Sequence, residues 1–153
     1  MPRFDPASSL DSVAPNGGVL NKEAVMAAPF IFIGTHTFKE GKLADFKRDS
    51  RALAELVKEK EPRLLAFAFY FNEDETEASV VQVHPDADSM VNHMQVVREH
   101  IIHSSEEQLV TKDIQIYGTP NDVVLGMIKE LSQSGVPLTV KPIHHAGFIA
   151  SES

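Results

Sequence analysis

The chain has 153 residues and a formal net charge of −8, so it has the size of one domain and can bury a hydrophobic core. This acidity excludes the clustered Lys and Arg surface that nucleic acid or an anionic membrane requires. Cysteine is absent, which excludes disulfides, thiolate metal sites and a Cys nucleophile. No apolar run approaches the ~18 residues of a membrane span and no secretory signal is visible, so we expect a cytoplasmic protein.

The chain divides by composition into a short arm and one patterned region. Residues 1–28 are rich in Pro, Ser, Gly and Ala and show no hydrophobic period, which predicts a flexible N-terminal arm. Residues 29–150 carry regular hydrophobic patterns throughout, and they predict a single domain.

The first half of this domain predicts a strand, a helix and a hairpin. Apolar and aromatic residues alternate over 29–38, which is typical of a strand. Helical spacing predicts a helix over 39–60, and Pro62 ends it. Residues 63–72 and 77–84 are two apolar runs separated by a short polar turn, which predicts a β-hairpin.

The second half predicts two further α-β pairs. Asp86 or Asp88 is a suitable N-cap for the second helix. The predicted elements are a helix over 86–104, a strand over 112–118, a helix over 120–134 and a strand over 137–149 with an irregularity at Pro142.

The order β-α-β-β-α-β-α-β predicts an α+β domain: a ferredoxin-like split βαβ unit with an extra C-terminal α-β element. Helices in such a unit cover one face of the sheet. The first two strands are apolar on both faces, so an isolated copy would expose a large apolar patch. We therefore expect a homodimer formed sheet against sheet.

Part of the chain resembles the antibiotic-biosynthesis-monooxygenase-type domains. The resemblance covers Phe30 to His93 and rests on three segments. The first strand is apolar. The segment EKEPRLLAFAFYFNED (Glu59 to Asp74) is similar to the family's glutamate, proline or glycine, and apolar strand. The segment EASVVQVHPDADSMVNH (Glu77 to His93) is similar to its third strand, turn and histidine-bearing helix.

The resemblance implies a dimeric α/β barrel with a pocket between sheet and helices in each protomer. Some members of that family oxidise quinols or phenols with oxygen and without metal or flavin, and others degrade haem. The present sequence differs from the pattern in having no Trp, and in having Gln82 where many relatives carry a glutamate.

Three of the seven histidines lie on the second predicted helix. His93 and His100 project within about 20° of each other at the edge of its buried face, while His103 points towards solvent. A histidine at that boundary is suited to act as a general base near neutral pH, although it is equally a residue that packs there with its nitrogens satisfied. The histidine spacings of seven and three do not match a helical metal pair, so we expect no metal site.

Tyr70 shares a strand face with the small residues Ala66 and Ala68, which leaves room for a ligand beside its phenol; the alternative is that Tyr70 packs at the rim with its hydroxyl satisfied. Asn92 is a candidate oxyanion donor, or else a solvated helix residue. Four further residues are expected to line the same pocket, namely His36, His84, Met94 and His100.

The leading hypothesis is a cofactor-independent monooxygenase that oxidises a small aromatic, quinol-like molecule with O2. His93 would take a proton from the substrate phenol, and Tyr70 and Asn92 would orient the resulting anion. One alternative is a non-catalytic binding or sensor module with the same pocket, which the missing Trp and Gln82 favour. Another is a haem binder with a histidine ligand.

Overall fold

The computed structural model describes residues 29–150, so the arm predicted at 1–28 lies outside the described residues. Residues 29–145 form one unit, and they contain all the described helices and strands. None of the described helices is long and apolar enough to cross a membrane. In chain order the elements are β1 Phe30–Phe38, α1 Leu43–Lys60, β2 Ala66–Phe71, β3 Glu77–His84, α2 Ala87–Val96, α3 Arg98–Glu107, β4 Leu109–Tyr117, α4 Asp122–Leu131 and β5 Leu138–Lys141.

The five strands form one sheet in the order β2-β3-β1-β4-β5. The first four pair antiparallel, and β5 joins the edge beside β4 in parallel orientation. This confirms the predicted α+β, ferredoxin-like fold, and α4 with β5 is the extra C-terminal element. The hairpin strand β2 and the added strand β5 form the two edges of the described sheet.

One face of the sheet carries the core. Along β3 the buried positions alternate strictly and comprise Ala78, Val80, Gln82 and His84. The aromatic residues of β2 that point the same way pack with α1 and with the α2–α3 junction. Residues of β1 and β4 on this face pack with α2 and α4 around Met90, Met94 and Ile128. No strand residue of the opposite face belongs to any of these clusters in the described part of the chain.

The helix predicted over 86–104 is divided into α2 and α3 at Val97. Asp86 caps its start as predicted, accepting a hydrogen bond from the Ser89 N–H at 2.9 Å. Val97 has φ −104° and ψ 14°, yet its N–H still donates to the His93 carbonyl at 3.0 Å. Its side chain is buried in the same cluster as Leu53 and Val57 of α1. The chain therefore bends where packing against α1 holds Val97 inward.

Strand β4 begins three residues earlier than predicted because a β-bulge interrupts its alternation. Thr35 pairs with Asp113 and His36 pairs with Thr111, so Lys112 is the extra residue. The residues of β4 that face the helices therefore do not keep the two-residue spacing across Lys112. At the other end, Gly118 has φ +111°, and a Cβ there would lie 2.6 Å from the Pro29 carbonyl oxygen.

The final strand is much shorter than the predicted range 137–149. It ends at Lys141, directly before Pro142. Proline has no N–H to continue the sheet ladder, which explains the termination.

Candidate functional site

A cavity of about 140 Å³ lies between the helix-bearing face of the sheet and the helices. Most of its wall is apolar, and the strands β1 to β4 and all four described helices contribute to it. The polar side chains that line it are His36, Gln82, His93, His100, Ser104, Ser105, Thr111 and Ser132. An apolar chamber with a few polar groups is the usual form of a small-molecule site.

One lining residue of this cavity, His93, belongs to a buried carboxylate–imidazole pair. Glu61 follows the last residue of α1, and its N–H closes the helix on the Val57 carbonyl at 2.9 Å. Pro62 prevents the helix from continuing, and the Glu61 side chain turns inward with 2% of its surface exposed. Its two oxygens lie 3.1 and 3.0 Å from Nδ1 of His93, whose side chain is 4% exposed.

This contact determines which nitrogen of His93 carries the proton. An ionised carboxylate only accepts hydrogen bonds, so Nδ1 of His93 donates to Glu61. In the neutral imidazole the lone pair is then on Nε2. No described residue hydrogen-bonds Nε2, and the ring of His93 lines the cavity. The pair therefore leaves a basic nitrogen on an imidazole that lines the chamber, and the carboxylate on its other nitrogen would stabilise the charged imidazolium.

A second histidine lies directly beside this pair but is held neutral. His84 is fully buried, and its ring centroid lies 5.8 Å from that of His93. Burial, reinforced by the neighbouring His93, lowers the pKa of His84 from 6.5 to about 3. Its Nε2–H donates to Oε1 of Gln82 at 2.9 Å, which leaves Nδ1 to accept from the Ser89 hydroxyl at 2.7 Å.

The contact with His84 orients the amide of Gln82. Because Oε1 of Gln82 accepts from His84, the two donors on its nitrogen are left over, and no described residue accepts from them. Gln82 is 4% exposed and lines the cavity. Its amide nitrogen is therefore a donor available to an anion in the chamber.

The other polar part of the cavity contains His36 and His100. Nδ1 of His36 lies 3.0 Å from the Thr111 hydroxyl. Burial lowers the pKa of His36 to about 4, against an opposing effect of Asp113. Burial also lowers the pKa of His100, where Asp49 opposes it.

The structure brings together four of the residues proposed from the sequence. His36, His93, Met94 and His100 all line the cavity. His84 lies behind His93, bonded to a residue of the wall rather than lining it.

The other four proposed residues lie away from the cavity. Tyr70, Ala66 and Ala68 lie on the opposite face of the sheet, because Phe67, Phe69 and Phe71 occupy the helix side of β2. Tyr70 is 63% exposed there. Asn92 is exposed on α2. The orienting role expected of Tyr70 and Asn92 requires contact with the ligand, and this protomer does not place them there.

Glu61 is the member of this pair for which the sequence analysis proposed no role. The resemblance included a glutamate in this segment but assigned it no partner. One local signal was available: a carboxylate at the C-terminal end of a helix opposes the helix dipole, which favours cations there. Such a residue needs a compensating contact, and His93 provides it across 32 positions of sequence.

Comparison with known proteins identifies the fold. No family model matches the chain, and no curated protein matches it. Among solved structures, the chain is similar to MupZ from Pseudomonas fluorescens, with 18% identity and a TM-score of 0.63 over 83% of this chain and 100% of that one. It is also similar to a conserved protein from Methanosarcina mazei Go1, with 18% identity and a TM-score of 0.51 over 60% of this chain and 93% of that one.

A third similar structure comes from Caulobacter crescentus, and its assignment as an antibiotic biosynthesis monooxygenase is itself provisional. It shares 14% identity and a TM-score of 0.41, over 76% of this chain and 89% of that one. This likeness is too distant to inform the site. At such identities the likenesses to known structures concern the fold alone.

Proposed function

We propose that this protein is an enzyme in which His93 removes a proton from a small aromatic molecule held in the cavity. The observation that carries the proposal is the buried Glu61–His93 pair, whose imidazole lines an apolar chamber and whose second nitrogen has no hydrogen-bond partner among the described residues. A general base needs a free lone pair, a group that stabilises its protonated form, and access to the substrate. Glu61 would stabilise the protonated form of His93, and the cavity would give the substrate access to it.

The size of the cavity limits the substrate. A comparable dry cavity of about 150 Å³ holds one benzene molecule. The 140 Å³ chamber therefore suits a single ring, and the volume does not favour the haem alternative. The most acidic proton on an otherwise apolar ring is that of a phenolic hydroxyl, and the Gln82 amide would donate to the phenolate that forms.

The reaction we propose is oxidation of a hydroquinone by O2. The phenolate is electron-rich and transfers electrons to O2 in a chamber that excludes water from the intermediates. One oxygen atom enters the ring as a new hydroxyl and the other leaves as water, while the ring is oxidised to a hydroxyquinone. Hydroquinone and O2 together balance hydroxyquinone and water, so this step consumes no external reductant and requires no cofactor.

The test is oxygen uptake with monocyclic hydroquinones and no added metal or flavin. We expect uptake above the protein-free rate, and a loss of about 10²- to 10⁴-fold in His93→Ala. Asn92→Ala is the matched control, because Asn92 precedes His93 on α2 but is exposed. Equal rates in wild type and His93→Ala would remove His93 from the mechanism. Binding without uptake would favour the binding or sensor module.

We further propose that two copies associate through the face of the sheet opposite the helices. This face carries Ile31, Ile33, Val81 and Val83, which are only half-buried within one chain, and the exposed Tyr70. An apolar surface spread over neighbouring strands indicates a contact surface, and a two-fold pair of identical sheets would cover it on both copies.

Sedimentation measurements test this association. Wild type is expected at twice 16.9 kDa, and Val81→Glu is expected to be monomeric because the carboxylate would be buried between two sheets. Val123→Glu is the control, since Val123 is 54% exposed on α4 and lies outside that face. A monomeric wild type would contradict the proposal.

A further inference from the structure

A glycine allows His36 to lean into the cavity. Gly34 precedes His36 by two residues on the same face of β1. A Cβ built at Gly34 would lie 3.4 Å from Nε2 of His36 and 3.3 Å from the ring of Phe32. The imidazole therefore lies over the position that a larger side chain would fill, and its Nε2 points back along the strand towards Phe32.

The register of the sheet gives the position of Nε2 of His36 along the strands relative to His93. Phe32 pairs with Gln82, and Gln82 pairs with Phe67 on the next strand. The ring of Phe67 contacts that of His93 at 5.3 Å between centroids. His93 thus lies at the level of Phe32, whereas Nε2 of His36 lies at the level of Gly34. These levels are two residues, or about 7 Å, apart along the strand direction, and the strands of Phe67 and His36 are also about 10 Å apart across the sheet.

No Lys or Arg side chain of the described residues lines the cavity around His36, and the charge that acts on its imidazole is the carboxylate of Asp113. Burial keeps its imidazole neutral, since its pKa is lowered to about 4. Thr111, Ser104 and Ser105 line the cavity near this end of the sheet, and they are uncharged hydroxyl residues. The Thr111 hydroxyl can donate to or accept from Nδ1 of His36, so Nε2 is free to accept from a hydroxyl or donate to a carbonyl.

We propose that the substrate carries a second uncharged polar group on the opposite side of its ring from the hydroxyl that His93 deprotonates, and that His36 hydrogen-bonds this group. The inference rests on the proposed function and specifies the second polar group of its substrate: a hydroxyl para to the first, as in a 1,4-dihydroxybenzene. A carboxylate at this position is excluded because it would be buried without a cationic partner. Gly34 is the positioning residue that makes room for the imidazole.

Anaerobic calorimetry tests this inference, because binding is then measured without turnover. The probes are hydroquinone and 4-methylphenol, which replaces the second hydroxyl with a methyl group. The quantity compared is the ratio of their dissociation constants in each variant. We expect His36→Leu to shift this ratio about tenfold towards 4-methylphenol, since removing one partner of a buried hydrogen bond typically has an effect of that order.

Two further variants make the result specific. Gly34→Val would extend past the Cβ position, which already lies within van der Waals distance of Nε2 of His36, and is expected to displace the ring and shift the ratio in the same direction. This variant keeps the test valid should His36→Leu fail to fold. Thr37→Ala lies on the opposite face of β1 and is expected to leave the ratio unchanged. An unchanged ratio in both His36→Leu and Gly34→Val overturns the inference, as does hydroquinone that does not bind wild type at millimolar concentration. Absence of oxygen uptake alone would overturn the proposed function but leave this ratio measurable.

Discussion

Replacing Glu61 with glutamine is expected to lower turnover by about 10²-fold or more while the protein stays folded. The amide keeps the size of the carboxylate but has no charge to stabilise protonated His93. It can also rotate and donate to Nδ1, which would move the proton of His93 to Nε2 and remove the lone pair from the cavity; a wrong tautomer of this kind can reduce kcat by ~10⁴ in a catalytic triad. Steady-state oxygen uptake with the substrate found for wild type measures the loss.

The matched control for this substitution is Glu59→Gln. Glu59 lies in the last turn of the same helix but is exposed, so the same change of charge is made without touching His93. Nitrogen NMR of the histidine ring supplies a readout that needs no substrate: wild type should show the proton of His93 on Nδ1, and Glu61→Gln should shift it towards Nε2. A tautomer and a rate that both stay at the wild-type values would show that Glu61 has no part in positioning or activating His93.

The stability of the fold is expected to fall as the pH drops below about 6.5. His84 has a pKa of about 3 in the folded protein, against an ordinary value of 6.5. Between these values the unfolded chain binds a proton at this residue and the folded protein does not, so acid favours unfolding. Each pH unit inside the window is expected to remove about 1.4 kcal/mol for one such group. His36, whose pKa is lowered to about 4, adds to this loss of stability between pH 6.5 and pH 4.

Urea unfolding from pH 7.5 to 4.5 measures this slope in wild type and in His84→Gln. The glutamine does not titrate and can retain a hydrogen bond to Ser89 or Gln82, so the variant should be less stable at pH 7.5 but lose less stability on acidification. The gap between the two free energies of unfolding should narrow by roughly 1–3 kcal/mol by pH 4.5. His103→Gln, exposed on α3, should run parallel to wild type. Parallel curves for His84→Gln would mean that His84 is not held neutral by burial.

The local pattern of apolar residues determined the elements and their order. Alternation in β1, β2 and β3 and helical spacing in α1 and α4 report which residues must leave water, and that information is contained within ten to twenty neighbouring residues. The bend at Val97 and the bulge at Lys112 were not predicted, because neither is encoded in the pattern of neighbouring residues. Each arises where packing against a distant element overrides the local period.

The sequence by itself determined the α+β class, the core stripe through Met90 and Met94, and the presence of histidines at the edge of that stripe. Tertiary structure decided which face of β2 the helices cover, and so removed Tyr70 from the cavity. It also joined Glu61 to His93 and directed His36 over Gly34. Glu61 and His93 lie on separate elements, and the free energy of their contact depends on sheet and helices together excluding water, so no local pattern in the sequence predicts it.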